Sequence, residues 1–255
     1  MASTSLPDIH SHPMIPHPMI RKLESVFTLS DDEKGAILNL PMQVVDIRPD
    51  QDIVREGDSP SRSCLVLDGF ACTYKITGGG RRQIVAFNIV GDIPDLQSLH
   101  LRMLDNSIGT LSPCTVGFIP HDALRTLCER HPRIASALWR STLVDAAIFR
   151  EWMTSIGRRE AYSRIAHLLC EMLVRLNAVE KAEGHTCDLP ITQAEFGDAL
   201  GLSTVHVNRI FQDLRADGLI RTKGTQLTVP DWDRLQEAGE FDRSYLHLER
   251  QNFRL

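Results

Sequence analysis

The sequence lacks the long apolar stretch that would span a membrane. None of its hydrophobic runs approaches the ~20 residues a bilayer helix needs, and its N-terminus lacks the basic, apolar and small-residue succession of a secretory leader. A cytoplasmic location without membrane association is therefore expected. The six cysteines, Cys64, Cys72, Cys114, Cys128, Cys170 and Cys187, are scattered without a C-x-x-C pair, which removes the strong zinc and redox signals. Reduced thiols are expected, with Cys187 the one redox candidate because polar Thr186 and Asp188 beside it suggest exposure. Histidine is scarce where a cupin-like metalloenzyme would need it. Between residues 42 and 120 only His100 occurs, whereas such a site takes two histidines and a carboxylate. No catalytic site, metal or cofactor is expected, and the chain reads as a non-enzyme. An excess of cations is missing too: 28 Lys and Arg stand against 33 Asp and Glu, a net charge of -5. This excludes a uniformly basic nucleic-acid binder but says little about any one face.

What is present begins with size. At 255 residues and 42% hydrophobic content, the chain can bury the cores of two domains. Its most informative stretch is TQAEFGDALGLSTVHVNRIFQDLR, residues 192 to 215. Thr192 followed by Glu195 is a capping box, in which each side chain satisfies a backbone donor near the other. Phe196, Ala199 and Leu200 give that helix an apolar stripe, and Gly201 supplies the turn. Ser203 caps a second helix, with Leu202 and Val207 spaced as a hydrophobic staple. Val207, Ile210, Phe211 and Leu214 recur at i, i+3, i+4, i+7 and mark its buried face. Val205, Arg209 and Gln212 project from the other side, with Thr204 and Asn208 on its flank. This is the pattern of a helix-turn-helix whose second helix enters the major groove of DNA. An ordinary helical hairpin would share the caps but not the small, hydrogen-bonding outer face. LIRTKGTQLTV (219 to 229) alternates like a hairpin with Lys223 and Gly224 at its tip, as the wing of a winged helix-turn-helix would.

The candidate DNA contacts are Thr192, Ser203, Thr204, Val205, His206, Asn208, Arg209, Gln212 and Lys223. An arginine aimed into the groove pairs with guanine O6 and N7, Asn208 and Gln212 suit adenine, Val205 suits a thymine methyl, and His206 lies towards phosphate. From 203 to 224, Arg209, Arg215, Arg221 and Lys223 face Asp213 and Asp217, a local charge of +2. That modest value favours a dimer, which doubles the contacts.

Upstream, residues 1 to 20 are rich in proline and histidine and are expected to form a mobile arm. His10, His12 and His17 lack the partner groups that orient a metal-bound imidazole. A helical pattern follows from Arg21, with Ser30, Asp31 and Asp32 marking a helix start. Residues 42 to 120 change character: VVDI, DIVREGD, SCLVLDG, ACTYKIT, RQIVAF, SIGTL and CTVGFI are short alternating or β-branched runs between turn residues. They predict an antiparallel roll or jelly roll. A helix is predicted over His121–Arg130 and a longer one from Pro132 to about Ile156. Along the latter Ile134, Leu138, Leu143, Ile148, Phe149, Trp152 and Ile156 exceed one face's needs, so a second copy of the helix is expected alongside it. Gly157, Arg158 and Arg159 read as its end and as a hinge, and Tyr162 to Leu176 as a further helix.

The order of β-roll, long helix, hinge and winged helix-turn-helix, carried most specifically by IVREGDSPSRSCLVLDGFACTYK and by the helix-turn-helix through Arg221, resembles the superfamily of the cyclic-AMP receptor protein and the fumarate-nitrate reduction regulator, the Crp/Fnr regulators. The resemblance covers about residues 21 to 230. It implies an α+β chain: an arm at 1–20, a sensor β-roll resembling a cyclic-nucleotide-binding domain at 21–130, a dimerisation helix at 131–157, a winged helix-turn-helix at 158–230 and a helical tail at 231–255. It also implies a homodimeric transcription regulator whose partners are an inverted-repeat operator in double-stranded DNA, its own second copy, and RNA polymerase.

The departures matter as well. Nucleotide-binding members follow a G-D turn, here Gly91 and Asp92, with a glutamate for the ribose and an arginine beside a hydroxyl residue for the phosphate. In GDIPDLQSLHLRMLDNSIG those positions carry Leu96, Asn106 and Ser107. A buried phosphate without its cation loses charge-assisted bonds worth ~1.5 to 3 kcal/mol each, so cyclic AMP is not expected to bind in the family manner. Arg102 is the available substitute cation, and Asp92, Leu96, Arg102, Asn106 and Ser107 make up the candidate effector pocket, its effector unassigned. No cysteine precedes Cys64, so the iron-sulfur cluster of other members is not expected either. Val205 stands where many members carry a base-reading glutamate, while Arg209 is kept. The alternative reading is an effector-binding or protein-interaction module with weakened DNA binding.

Overall fold

The computed structural model describes residues 17–248. Two short helices open it, α1 (Pro18–Glu24) and α2 (Asp31–Leu38). The second starts on a capping box: Glu33 N donates to Ser30 Oγ (3.2 Å) and Ser30 N to Glu33 Oε2 (2.7 Å). Residues 18–20 of the expected arm belong to α1. Residues 1–16, with His10 and His12, lie outside the described residues, but Pro18 occupies the first turn of α1, where its fixed φ and missing N–H suit a helix start. Met19 and Ile20 are buried behind it.

Each of the seven alternating runs forms a strand: β1 (Gln43–Ile47), β2 (Asp52–Val54), β3 (Arg62–Asp68), β4 (Ala71–Ile76), β5 (Arg82–Asn88), β6 (Ser107–Thr110) and β7 (Cys114–Pro120). They pair antiparallel in two sheets, ordered β1-β7-β3 and β2-β6-β4-β5. Cys64, Val66, Val116 and Phe118 of the first sheet meet Val54, Ala71 and Ile108 of the second in one apolar cluster. A 3-10 turn at Leu96–Leu99 bridges β5 and β6.

Helices α3 (His121–Arg130) and α4 (Pro132–Arg158) follow. At 27 residues, α4 runs for ~40 Å, long enough to serve both halves of the molecule. Its first half packs Ile134, Ala137 and Leu138 against Leu23 and Phe27 near α1 and Leu124 and Leu127 of α3. Its second half packs Ile148 and Trp152 against Phe87 of β5 and the apolar face of α5 (Ala161–Ala178).

This corrects the reading of α4 as a dimer helix through Ile134, Leu138, Ile148 and Trp152: those four side chains are consumed within their own chain. Ile156 is half-buried, and of the apolar residues expected to meet a second helix only Leu143 and Phe149 remain exposed, Phe149 at 45%. Trp139 (69%), Leu143 (57%) and Met153 (61%) also face outward, and at about 100° per residue they share one side of the helix with Phe149.

After α5 come β8 (Ala182–Glu183), β9 (Thr186–Asp188), α6 (Gln193–Leu200), α7 (Thr204–Ala216), β10 (Arg221–Lys223), β11 (Gln226–Thr228) and α8 (Trp232–Ala238). The expected two-stranded wing is half of a four-stranded sheet, β10-β11-β9-β8. Cys187 lies at its centre and is 4% exposed, against the expectation of an accessible thiol. On a strand, neighbours point to the opposite face. Thr186 and Asp188 therefore report the far side of the sheet, and burial pushes the Cys187 thiol up to about 12. A buried, protonated thiol does not suit a redox role at this position.

The C-terminal segment packs back on α5. Leu235 is fully buried, Phe241 and Tyr245 flank the His167 ring, and Trp232 stacks on His185 with centroids 5.3 Å apart. The fully buried Glu171 carboxylate takes three donors, from Trp152 Nε1 (3.0 Å), Tyr245 Oη (2.9 Å) and Arg175 Nη1 (3.2 Å). It ties α4, α5 and the segment after α8 into one body, because a buried charge must be satisfied from every side. No helix among the described residues is long and apolar enough to cross a membrane.

Candidate nucleic-acid interface

The site is built from two helices locked at a fixed angle. Glu195 N donates to Thr192 Oγ1 (3.3 Å) and Thr192 N to Glu195 Oε2 (2.6 Å), fixing the start of α6. Gly201 ends it in the left-handed region at φ 68°, where a Cβ is costly. Gly197 answers a different need: a Cβ there would stand 2.6 Å from the Leu202 carbonyl oxygen, so only glycine lets the turn fold against the helix. His206 N donates to Ser203 Oγ (3.2 Å), the cap of α7.

Val207, Ile210, Phe211 and Leu214 are buried under α7, with Phe211 edge-on to Phe196 at 5.1 Å. Thr204, Val205, Asn208, Arg209 and Gln212 are exposed, Val205 at 81%, and His206 is half-buried. Arg209 is at the middle of this outer face and is unpaired among the described residues. Its neighbours are not free. Asn208 Nδ2 donates to Gln193 Oε1 (2.8 Å), and Gln212 Nε2 donates to Asn208 Oδ1 (2.9 Å), so three amides from two helices form one chain. Arg215 Nη1 reaches Thr222 Oγ1 (3.3 Å), joining α7 to the wing. Lys223 is exposed at the wing's tip, where residues 223 and 226 pair across a two-residue turn.

Of the five candidate effector residues, Asp92 and Leu96 line one cavity and the other three do not. Asp92 pairs with Lys22 Nζ (2.6 Å) and Arg175 Nη2 (3.3 Å) and accepts from Ile89 N (2.9 Å). Burial alone would raise its carboxyl; the two cations hold it below the usual carboxylate range. Asp92 is thus a brace between α1, the roll and α5. Leu96 packs into the α1–α4 cluster, Arg102 is exposed, and Asn106 and Ser107 are buried. Asn106 Oδ1 accepts from Gln97 Nε2 (3.3 Å), and Ser107 Oγ from Glu56 N (3.0 Å). A cavity of about 30 Å³ is lined by Asp92 and Leu96, but it does not reach Arg102, Asn106 or Ser107. It has room for about one water molecule.

Two family models match the chain: the Crp-like helix-turn-helix domain over residues 163–238 and the cyclic nucleotide-binding domain over residues 44–131. The chain belongs to the Crp/Fnr superfamily. Among curated relatives of this Crp/Fnr protein, the transcriptional activator protein FnrL of Cereibacter sphaeroides is 29% identical over 216 residues, 82% of this chain and 86% of its own. The nitrogen fixation regulation protein FixK of Bradyrhizobium diazoefficiens is 29% identical over 170 residues, covering 66% and 70% of the two chains. Among solved structures, FixK2 from Bradyrhizobium japonicum superposes with a TM-score of 0.71 at 26% identity, over 78% of this chain and 98% of its own. The protein is thus a Crp/Fnr-type transcription regulator with a helix-turn-helix DNA-binding domain.

Sequence reasoning missed Gln193, whose side chain joins the outer face from the first helix, and the β8–β9 half of the wing sheet. For Gln193 a signal existed: it follows the Thr192 cap, so its side chain leaves the first turn of α6 towards the next helix.

Proposed function

We propose that the protein is a homodimeric, sequence-specific regulator that reads an inverted repeat through α7, with the wing on the phosphate backbone. The observation that carries this reading is the solvent-facing side of α7, on which the unpaired Arg209 is flanked by Val205, Asn208 and Gln212. A guanidinium there suits guanine O6 and N7, and each good bidentate pair discriminates by ~1 to 3 kcal/mol. Dimerisation is supported by the stripe of Trp139, Leu143, Phe149 and Met153 on α4, large apolar side chains that the chain's own fold leaves in water. Thr192, Ser203, Thr204 and His206 suit backbone phosphates near the start of α7. RNA polymerase is the expected protein partner and the cytoplasm the expected location.

The β-roll does not take cyclic AMP in the family manner on this reading, and no cofactor is assigned to it. Leu96 and Asn106 offer neither the ribose acceptor nor the phosphate cation, and a cavity with room for about one water molecule is what Asp92 and Leu96 line. The rival, an effector or interaction module with weakened DNA binding, draws on the local charge of only +2 over residues 203 to 224.

The deciding experiment is capture of genomic DNA fragments by the purified full-length protein without added ligand, followed by affinity measurements on the best fragment at two salt concentrations. Enrichment of an inverted repeat with half-sites about one helical turn apart supports the regulator. Salt-sensitive binding to all fragments alike, or none at low salt, supports the rival.

A further inference from the structure

The amide chain across the helix-turn-helix has a consequence for how sequence is read. A side-chain amide carries two N–H donors and two acceptor lone pairs. Asn208 places one N–H on Gln193 Oε1 at 2.8 Å and accepts one hydrogen bond from Gln212 Nε2 at 2.9 Å. One donor and one lone pair remain, the complement of the adenine edge, which offers N7 as acceptor and the N6 amino group as donor. Asn208 is exposed on the reading helix, whereas Gln193 is half-buried on the other helix, in a turn held by the Thr192–Glu195 capping box. The two helices pack closely: a Cβ at Gly197 would stand 2.6 Å from the Leu202 carbonyl oxygen, and Phe196 lies edge-on to Phe211 at 5.1 Å. Gln193 is therefore an anchor outside the reading helix that restrains the Asn208 amide before DNA arrives.

We propose that Gln193 is a positioning residue for sequence selection: it orients the Asn208 amide and so sets the preference at the base pair that Asn208 contacts. This rests on the reading that α7 enters the major groove. Without the acceptor at 193, Asn208 keeps only Gln212, which rides on the same helix and turns over with it. A side chain pinned from two helices loses less freedom on binding and discriminates more sharply.

The test is binding-site selection from randomised duplexes with the full-length wild type, Asn208→Ala, Gln193→Met and Gln193→Glu. Methionine keeps the length of the side chain and removes the acceptor; glutamate keeps the acceptor. One base-pair column is expected to lose about fivefold or more of its preference in Asn208→Ala and in Gln193→Met, on the scale of one base contact. Gln193→Glu is expected to retain that column while binding all sequences more weakly, because it adds an anion near phosphate. The column read by Arg209 should persist in every variant, which reports that the fold is intact. An unchanged profile for Gln193→Met overturns the positioning role, as does an unchanged profile for Asn208→Ala. Absence of any enriched sequence with the wild type overturns the DNA reading itself, and the inference with it.

Discussion

Arg82 on β5 donates through Nε to the Asp198 carboxylate on α6 at 2.8 Å, so the roll grips the first helix of the DNA-binding unit across 116 positions of sequence. Gln83 Nε2 adds a hydrogen bond to the Ala199 carbonyl at 3.0 Å, and Phe87 lies 6.3 Å from Phe196. Since α6 and α7 are locked together, this contact also fixes how α7 sits relative to the roll.

Arg82→Ala should loosen that grip without unfolding the chain. Both partners are about a third exposed, so the ion pair contributes less than ~1 kcal/mol. Amide exchange in α6 and α7 is expected to quicken several-fold while the melting temperature shifts by only a few degrees. Hydrogen exchange followed by mass spectrometry measures it; unchanged protection in α6 would assign the docking to the aromatic contact instead.

Arg209→Ala should cost ~1 to 3 kcal/mol on the preferred site and little on random DNA, and relax selection at one base pair. Lys223→Ala should weaken both alike and lower the slope of log affinity against log salt by about one per protomer. Fluorescence anisotropy on a specific and a scrambled duplex across a salt series separates the two. Equal losses on both duplexes for Arg209→Ala would remove it from base reading.

Leu143→Asp should convert a dimer to a folded monomer. The side chain is 57% exposed in the single chain, so a charge there costs the protomer little, while across an apolar interface it would lie buried and unpaired. Sedimentation velocity reports the change in mass. Trp152→Ala makes the contrast: that ring is buried against Phe87 and bound to Glu171, and its removal should cost ~3 to 5 kcal/mol of protomer stability.

Asp95 sets a pH dependence of stability. Its carboxylate is fully buried, accepts from Cys64 N at 2.8 Å through Oδ1, and has no partner for Oδ2 among the described residues. Burial pushes its pKa from 3.8 up to about 6. A folded value above the unfolded one means that the native state holds this proton more tightly, so its contribution is full below pH ~4 and is lost as pH rises towards 6. Relative to Asp95→Asn, the wild type should lose on the order of 2 to 3 kcal/mol across that window. Urea midpoints of both proteins at pH 4, 5, 6 and 7 give the difference, and a constant difference would contradict it. Against the upward pull of burial, Glu33 is held low by the Ser30 N–H and then Arg133, and Asp92 by Lys22 and Arg175; both trend the opposite way and cancel in the comparison.

By itself the sequence determined what is encoded within about one helical turn or one strand. The helix start at Ser30, the capping box at Thr192–Glu195, the Ser203 cap and the 3.6-residue period of Val207, Ile210, Phe211 and Leu214 all appear in the structure where the sequence places them. The seven alternating runs of the roll do too, because a strand's pleat and a helix's turn repeat with fixed periods. Tertiary structure decided everything that depends on which surface meets which. Ile134, Leu138, Ile148 and Trp152 look the same in sequence as Leu143 and Met153; only the placement of α1, α3, α5 and β5 around α4 makes the first four core and leaves the last two outside. Cys187 was buried by β8 and β11 closing on β9, and Asp92 was drawn into ion pairs by Lys22 and Arg175, 70 and 83 residues away. Such contacts leave no periodic trace, since burial and electrostatics act through space and local periodicity acts along the chain.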